Sequence, residues 1–148
     1  MIQNTAQLPE NISCSICCAL QLSVNILTEN MFILGDFNTR LSSLNMFKNP
    51  TKNIDYTRNP DRTINANGRE LLSLCESNEL IPVNHLQLNQ TSCDGGLTCK
   101  KKQCWIYQLD WAICTQAAAK YVQSFNILCC EVLPSDHAAF SLEMSDFE

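Results

Sequence analysis

A carboxylate and an amide stand two residues apart at the end of an apolar run, Met31-Phe32-Ile33-Leu34-Gly35-Asp36-Phe37-Asn38. Residues two apart in a strand project to the same side, so Asp36 and Asn38 share a face while Phe37 turns back toward the core. Two later segments have a similar character: Gln108-Leu109-Asp110-Trp111-Ala112-Ile113 and Pro134-Ser135-Asp136-His137-Ala138. Carboxylates and an imidazole can transfer protons to and from reacting groups, and carboxylates also hold hard divalent cations. Polar residues bound strands for ordinary structural reasons as well. The pattern becomes chemistry only if the fold brings the three segments together.

Periodicity indicates the elements that must do so. Residues 31–35 are short, continuously apolar and closed by glycine, as expected of a strand buried on both faces. Apolar spacing over residues 13–28 predicts a helix before it. Residues 39–64, rich in Asn, Pro, Thr, Arg and Lys, read as one long loop. Asn67 is expected to cap a helix carrying Leu71, Leu72, Leu74 and Cys75 and ending at Asn78. A short strand at 80–83 is interrupted by Pro82, and His85 reads as a surface or partly packed histidine with no specified partner. Asp94-Gly95-Gly96 predicts a hairpin turn between residues 86–88 and 97–100. Further strands are expected at 105–114, 121–132 and 138–144, with a helical turn at 117–120.

In this order the three polar segments resemble the last three signatures of the endonuclease/exonuclease/phosphatase superfamily: Gly-Asp-Phe-Asn, Ile-Asp-Tyr and Ser-Asp-His. Residues 35–38 and 135–137 match in full, while Leu109 and Trp111 replace Ile and Tyr around Asp110. Residues 65–75 resemble the helix that follows the first signature in endonucleases of LINE-type retrotransposons. The likeness spans residues 31–144. It implies an α/β fold, a DNase I-like sandwich of two packed sheets flanked by helices. The family's earlier strands, with their Asn and metal-binding Glu, have no counterpart: Glu10 and Glu29 sit in no matching motif. Residues 1–148 would then form a single truncated domain, the C-terminal half, supplying mainly one of the two sheets.

The resemblance also implies roles. Asp36 would activate the attacking water, and Asn38 would hold it or donate to a phosphate oxygen. His137 would contact the scissile phosphate, oriented by Asp110. Asp136 would support Mg²⁺ or Mn²⁺, held weakly without the family's glutamate. Ser135 would fix the turn carrying Asp136 and His137, and both Ser135 and Thr98 are expected on the substrate side. The implied activity is metal-dependent phosphodiester hydrolysis on DNA, of mobile-element type and weak or absent in this chain alone. Its alternatives are a phosphatase of the same superfamily and a non-enzymatic remnant that binds a partner, or itself, through an exposed sheet.

Composition bounds these readings. A formal net charge of −5 withholds a general electrostatic grip on nucleic acid, and Lys100-Lys101-Lys102 is the one basic cluster. Ten cysteines invite a disulfide or zinc reading. Cys14-x-x-Cys17, however, has no second pair at zinc-ribbon spacing, and Cys114, Cys129 and Cys130 lie in apolar segments. No secretory leader opens the chain, so reduced thiols and an intracellular setting, nuclear or cytoplasmic, are expected. No apolar run approaches the roughly 18 to 20 residues that cross a bilayer.

Overall fold

The computed structural model describes residues 30–88, 91–128 and 135–146. The expected helix at 13–28, with Cys14, Cys17 and Glu29, lies outside the described residues, as do Glu10, Cys129 and Cys130. The apolar run becomes strand β1 (Phe32–Asp36), which includes Asp36 as its last residue. The segment expected as loop contains two 3-10 turns, Asn45–Phe47 and Pro50–Lys52, and a strand β2 (Ile54–Tyr56). Its scattered apolar residues explain the difference: Leu41, Leu44, Phe47, Ile54 and Tyr56 are all buried and tie the segment to the core.

Helix α1 (Ala66–Ser77) runs to Asn78 as its C-cap, but Asn65 caps its start in place of Asn67. The Asn65 side chain accepts from the Gly68 N–H at 2.8 Å, one of the donors that a helix leaves open at its first turn. Strands β3 (Leu80–Pro82), β4 (Leu86–Leu88) and β5 (Thr91–Ser92) follow. Then come β6 (Cys99–Lys101), β7 (Cys104–Tyr107) and β8 (Asp110–Thr115). A 3-10 turn at Ala118–Tyr121 leads into β9 (Val122–Leu128), and β10 (Ala139–Met144) completes the described strands.

The expected hairpin around Asp94-Gly95-Gly96 is not formed. Instead β4 pairs with β5, and β6 pairs with β7 across Lys102 and Gln103, whose φ values are +50° and +66°. Two left-handed residues between antiparallel strands match the right-handed twist of the strands they join. Gly95 is required for a different reason: a β-carbon there would fall on the His85 ring.

The described residues form a mixed α/β arrangement of antiparallel strands and one α-helix. The strands divide among four hydrogen-bonded sheets, β1-β8-β3, β2-β4-β5, β9-β10 and β6-β7, rather than filling mainly one. At the centre of the first sheet is β8, with all six residues buried. Trp111 and Ile113 point to one side and Ala112 and Cys114 to the other, so the strand is apolar on both faces. On the edge of that sheet is β3, which tolerates Pro82 because an edge position need not donate on both sides. Leu71 and Cys75 of α1 join the same core as Ile81, Ile113, Leu86 and Phe125.

Candidate functional site

The antiparallel register of β1 against β8 sets Asp36 directly opposite Asp110. Residues facing one another across such a pair project to the same side of the sheet, so two carboxylates from distant parts of the sequence meet at one end of it. Asp36 is exposed, with 45% of its side chain accessible, whereas Asp110 is buried at 8%. The difference follows from position, because Asp36 ends a strand at the surface and Asp110 begins the central one.

His137 completes the group. Its Nδ1 lies 2.9 Å and 3.1 Å from the two Asp110 carboxylate oxygens, and its Nε2 lies 3.9 Å from Asp36 Oδ2. The segment carrying it is fixed through its backbone. His137 forms an antiparallel bridge with Cys99, the Lys100 N–H donates to the Asp136 carbonyl at 2.7 Å, and the Ala138 N–H donates to the Thr98 carbonyl at 2.7 Å. Ser135 turns the chain by accepting from the His137 N–H at 3.0 Å. Partial burial lowers the His137 pKa, but the Asp110 hydrogen bond and the charges of Asp110, Asp36 and Asp136 outweigh it, so the imidazole is held above its ordinary 6.5. These neighbours therefore stabilise the imidazolium relative to that of a free histidine.

Asn38 adopts φ +52°, in the left-handed region that asparagine tolerates better than most residues. Its N–H donates to Asp36 Oδ1 at 2.8 Å, leaving Oδ2 toward His137. Its carbonyl accepts from the side-chain amides of Asn65 and Asn67, so the start of α1 is tied to the turn after Asp36. The Asn38 side chain is exposed beside this group.

Thr98 stands elsewhere than expected. It is fully buried, and its hydroxyl accepts from the N–H groups of Leu109 and Asp110 at 3.0 and 3.1 Å. It holds the start of β8 and offers no surface to a substrate. Asp136 is exposed and groups with Cys99 and His137, not with Asp36 and Asp110.

Three supports were not singled out in the sequence. Buried Asn84 donates to the Asp110 carbonyl at 3.1 Å and accepts from the Ala112 N–H at 2.9 Å, continuing the pairing of β8 just past Pro82. Arg40 forms a bidentate pair with buried Asp61 at 2.7 and 2.8 Å, and Asp61 also accepts from the Gln108 N–H at 3.2 Å. The Trp111 indole donates to the Thr39 carbonyl at 3.1 Å. None of the three left a readable signal; the cap Asn65 did, since it precedes Gly68, the N–H donor to its side chain, by the three residues of an N-cap. His85 is 2% exposed rather than at the surface, its ring between Thr57 Oγ1 at 3.1 Å and Gln108 Oε1 at 3.0 Å. Burial pulls its pKa below 6.5.

The donor set meets one test for Mg²⁺, which takes oxygen ligands and commonly binds through one or two carboxylates with water completing its shell. Asp36, Asp110 and His137 have ligand atoms within 4.8 Å of one another, but both Asp110 oxygens face the imidazole. Asp36 is thus the carboxylate open to a hard cation. Three of the buried thiols, Cys75, Cys93 and Cys114, are unsuited to chemistry: burial pushes Cys75 and Cys114 up to about 12 and Cys93 up to about 11. Neither a family model nor a curated protein sequence matches this chain. Among the described residues, no helix is long and apolar enough to cross a membrane.

Proposed function

We propose that this chain is a phosphodiester hydrolase of the endonuclease/exonuclease/phosphatase type, with the DNase I-like fold of that superfamily and DNA as substrate. One observation carries the reading: Asp36, Asp110 and His137, more than 100 residues apart at their extremes, converge with the imidazole hydrogen-bonded to one carboxylate and facing the other. Asp110 fixes the imidazole ring and favours its protonated form. The Nε2–H then supplies positive charge and a proton where a phosphate oxygen develops negative charge. Asp36 Oδ2 accepts a proton from the attacking water, and the exposed Asn38 amide orients that water or a phosphate oxygen. A divalent cation held through Asp36 would add positive charge at the phosphate.

Two features favour a polymeric substrate. Lys101 and Lys102 are exposed on the hairpin of β6 and β7, whose Cys99 bridges to His137, so the basic cluster adjoins the acidic group. Lys100 stacks over the Trp105 ring at 4.4 Å, presenting an aromatic and a cation together. The specific rival is an inactive remnant, favoured because no glutamate joins either ligand group among the described residues. Supercoiled plasmid and a mononucleotide monoester, each incubated with the protein and Mg²⁺, test the assignment. Nicking without phosphate release is expected; phosphate release alone would point to a phosphatase, and neither to the remnant.

A further inference from the structure

Cys99 differs from the other buried cysteines in its surroundings. Its Sγ, an Asp136 carboxylate oxygen and a His137 ring nitrogen all lie within 4.8 Å of one another. The three residues come from two segments joined through backbone, by the Cys99–His137 bridge and the bond from the Lys100 N–H to the Asp136 carbonyl. Cys99 and His137 are therefore directly opposed, while exposed Asp136 approaches from the rim. Sulfur, nitrogen and oxygen from Cys, His and Asp form a ligand set suited to Zn²⁺, whereas Mg²⁺ discriminates against sulfur.

Zinc bonds of about 2.0 to 2.3 Å put tetrahedral ligand atoms roughly 3.3 to 3.8 Å apart, so closing a group whose atoms lie within 4.8 Å of one another requires movement of at most on the order of 1 Å. The exposed Asp136 side chain can supply much of that without disturbing the core. The nearby Asp110 carboxylate also suits a ligating histidine, because a carboxylate bonded to one ring nitrogen orients the other and raises its basicity.

We propose that Cys99, Asp136 and His137 form a binding site for a thiophilic divalent cation of the Zn²⁺ class, and that filling it withdraws His137 from phosphodiester chemistry. The cation binds as the Cys99 thiol releases its proton to solvent, giving one sulfur, one nitrogen and one oxygen ligand, with water in the fourth position. The binding claim stands on geometry alone. The inhibition claim rests on the functional reading above.

Co²⁺ is the probe, because thiolate coordination gives it a near-ultraviolet charge-transfer band. Full-length wild-type protein should develop that band with one equivalent of Co²⁺. Cys99→Ser should abolish it, Asp136→Asn should weaken binding at least tenfold, and Cys104→Ser, at an exposed thiol outside the group, should leave it unchanged. Asp136 is exposed, so its variant remains informative if Cys99→Ser folds poorly. A band of wild-type intensity and affinity in either Cys99→Ser or Asp136→Asn would overturn the site. In Mg²⁺-supported nicking, one equivalent of Zn²⁺ should inhibit wild type and spare Cys99→Ser; equal inhibition of both overturns the regulatory claim. Wild-type protein that binds Co²⁺ through Cys99 but never nicks would refute the inhibition claim and the nuclease reading together, leaving the metal site intact.

Discussion

The chain has two histidines, and their surroundings drive them in opposite directions. His137, surrounded by three carboxylates, has a pKa raised above 6.5, while buried His85 has one lowered below it. The stability contributed by His137 is fully present below pH 6.5 and is lost as pH rises through its higher folded value. For His85 the sign reverses: the folded state resists protonation, so stability declines as pH falls below 6.5. Histidine titration by NMR should resolve one pKa on each side of 6.5, and Asp110→Asn should move the higher one back toward it. Two superimposed titrations would contradict this account. At this scale the meeting of Asp36, Asp110 and His137, with Asn38 bonded to Asp36, was legible because each stands in a short local pattern. Thr98 was misread and Asn84 was missed because their roles depend on backbone groups 11 to 28 residues away, which local pattern does not encode.

Within the elements, a core residue and a site residue stand side by side. Phe37 is 4% exposed, so Phe37→Ala should cost about 3 to 5 kcal/mol through a cavity. Asp36→Ala, at a surface position, should cost less than about 1 kcal/mol. Urea denaturation measures both, and a large loss in Asp36→Ala would mark that residue as structural. Gly68 packs so closely that a β-carbon would meet the Arg40 carbonyl. Gly68→Ala should therefore destabilise by about 1 to 3 kcal/mol, although alanine is the better helix former. An unchanged denaturation midpoint would contradict that packing. The helix was legible from its leucines, but its cap was displaced by two residues because both Asn65 and Asn67 are good capping types. The hairpin was misplaced because Asp94-Gly95-Gly96 carries a strong turn signal while the actual turn uses Lys102 and Gln103, which advertise nothing.

For the whole molecule, a net charge of −5 opposes general attraction to nucleic acid, so any DNA affinity must be local. Under the proposed function, the exposed lysines of the β6–β7 hairpin beside His137 would be that local contact. Replacing both Lys101 and Lys102 with alanine should weaken DNA binding uniformly across sequences and reduce the magnitude of the log–log salt slope by about one to two. Fluorescence anisotropy at several salt concentrations measures it, and an unaltered slope would put the DNA elsewhere. Among the described residues, the helix Ala66–Ser77 and most of the strands were anticipated, but the division of the strands among four sheets was not. Strand periodicity reports which face is buried and says nothing of which strand lies alongside.

The central claim is that Asp36, Asp110 and His137 work together on a phosphodiester. The most direct measurement is the rate at which purified protein nicks supercoiled plasmid in Mg²⁺, compared with Asp36→Ala and His137→Ala variants confirmed to be folded. Wild type should nick, and each variant should lose at least about a hundredfold, the scale of positioned acid–base catalysis. Folded wild-type protein that leaves the plasmid intact, or variants that nick at its rate, would contradict the claim.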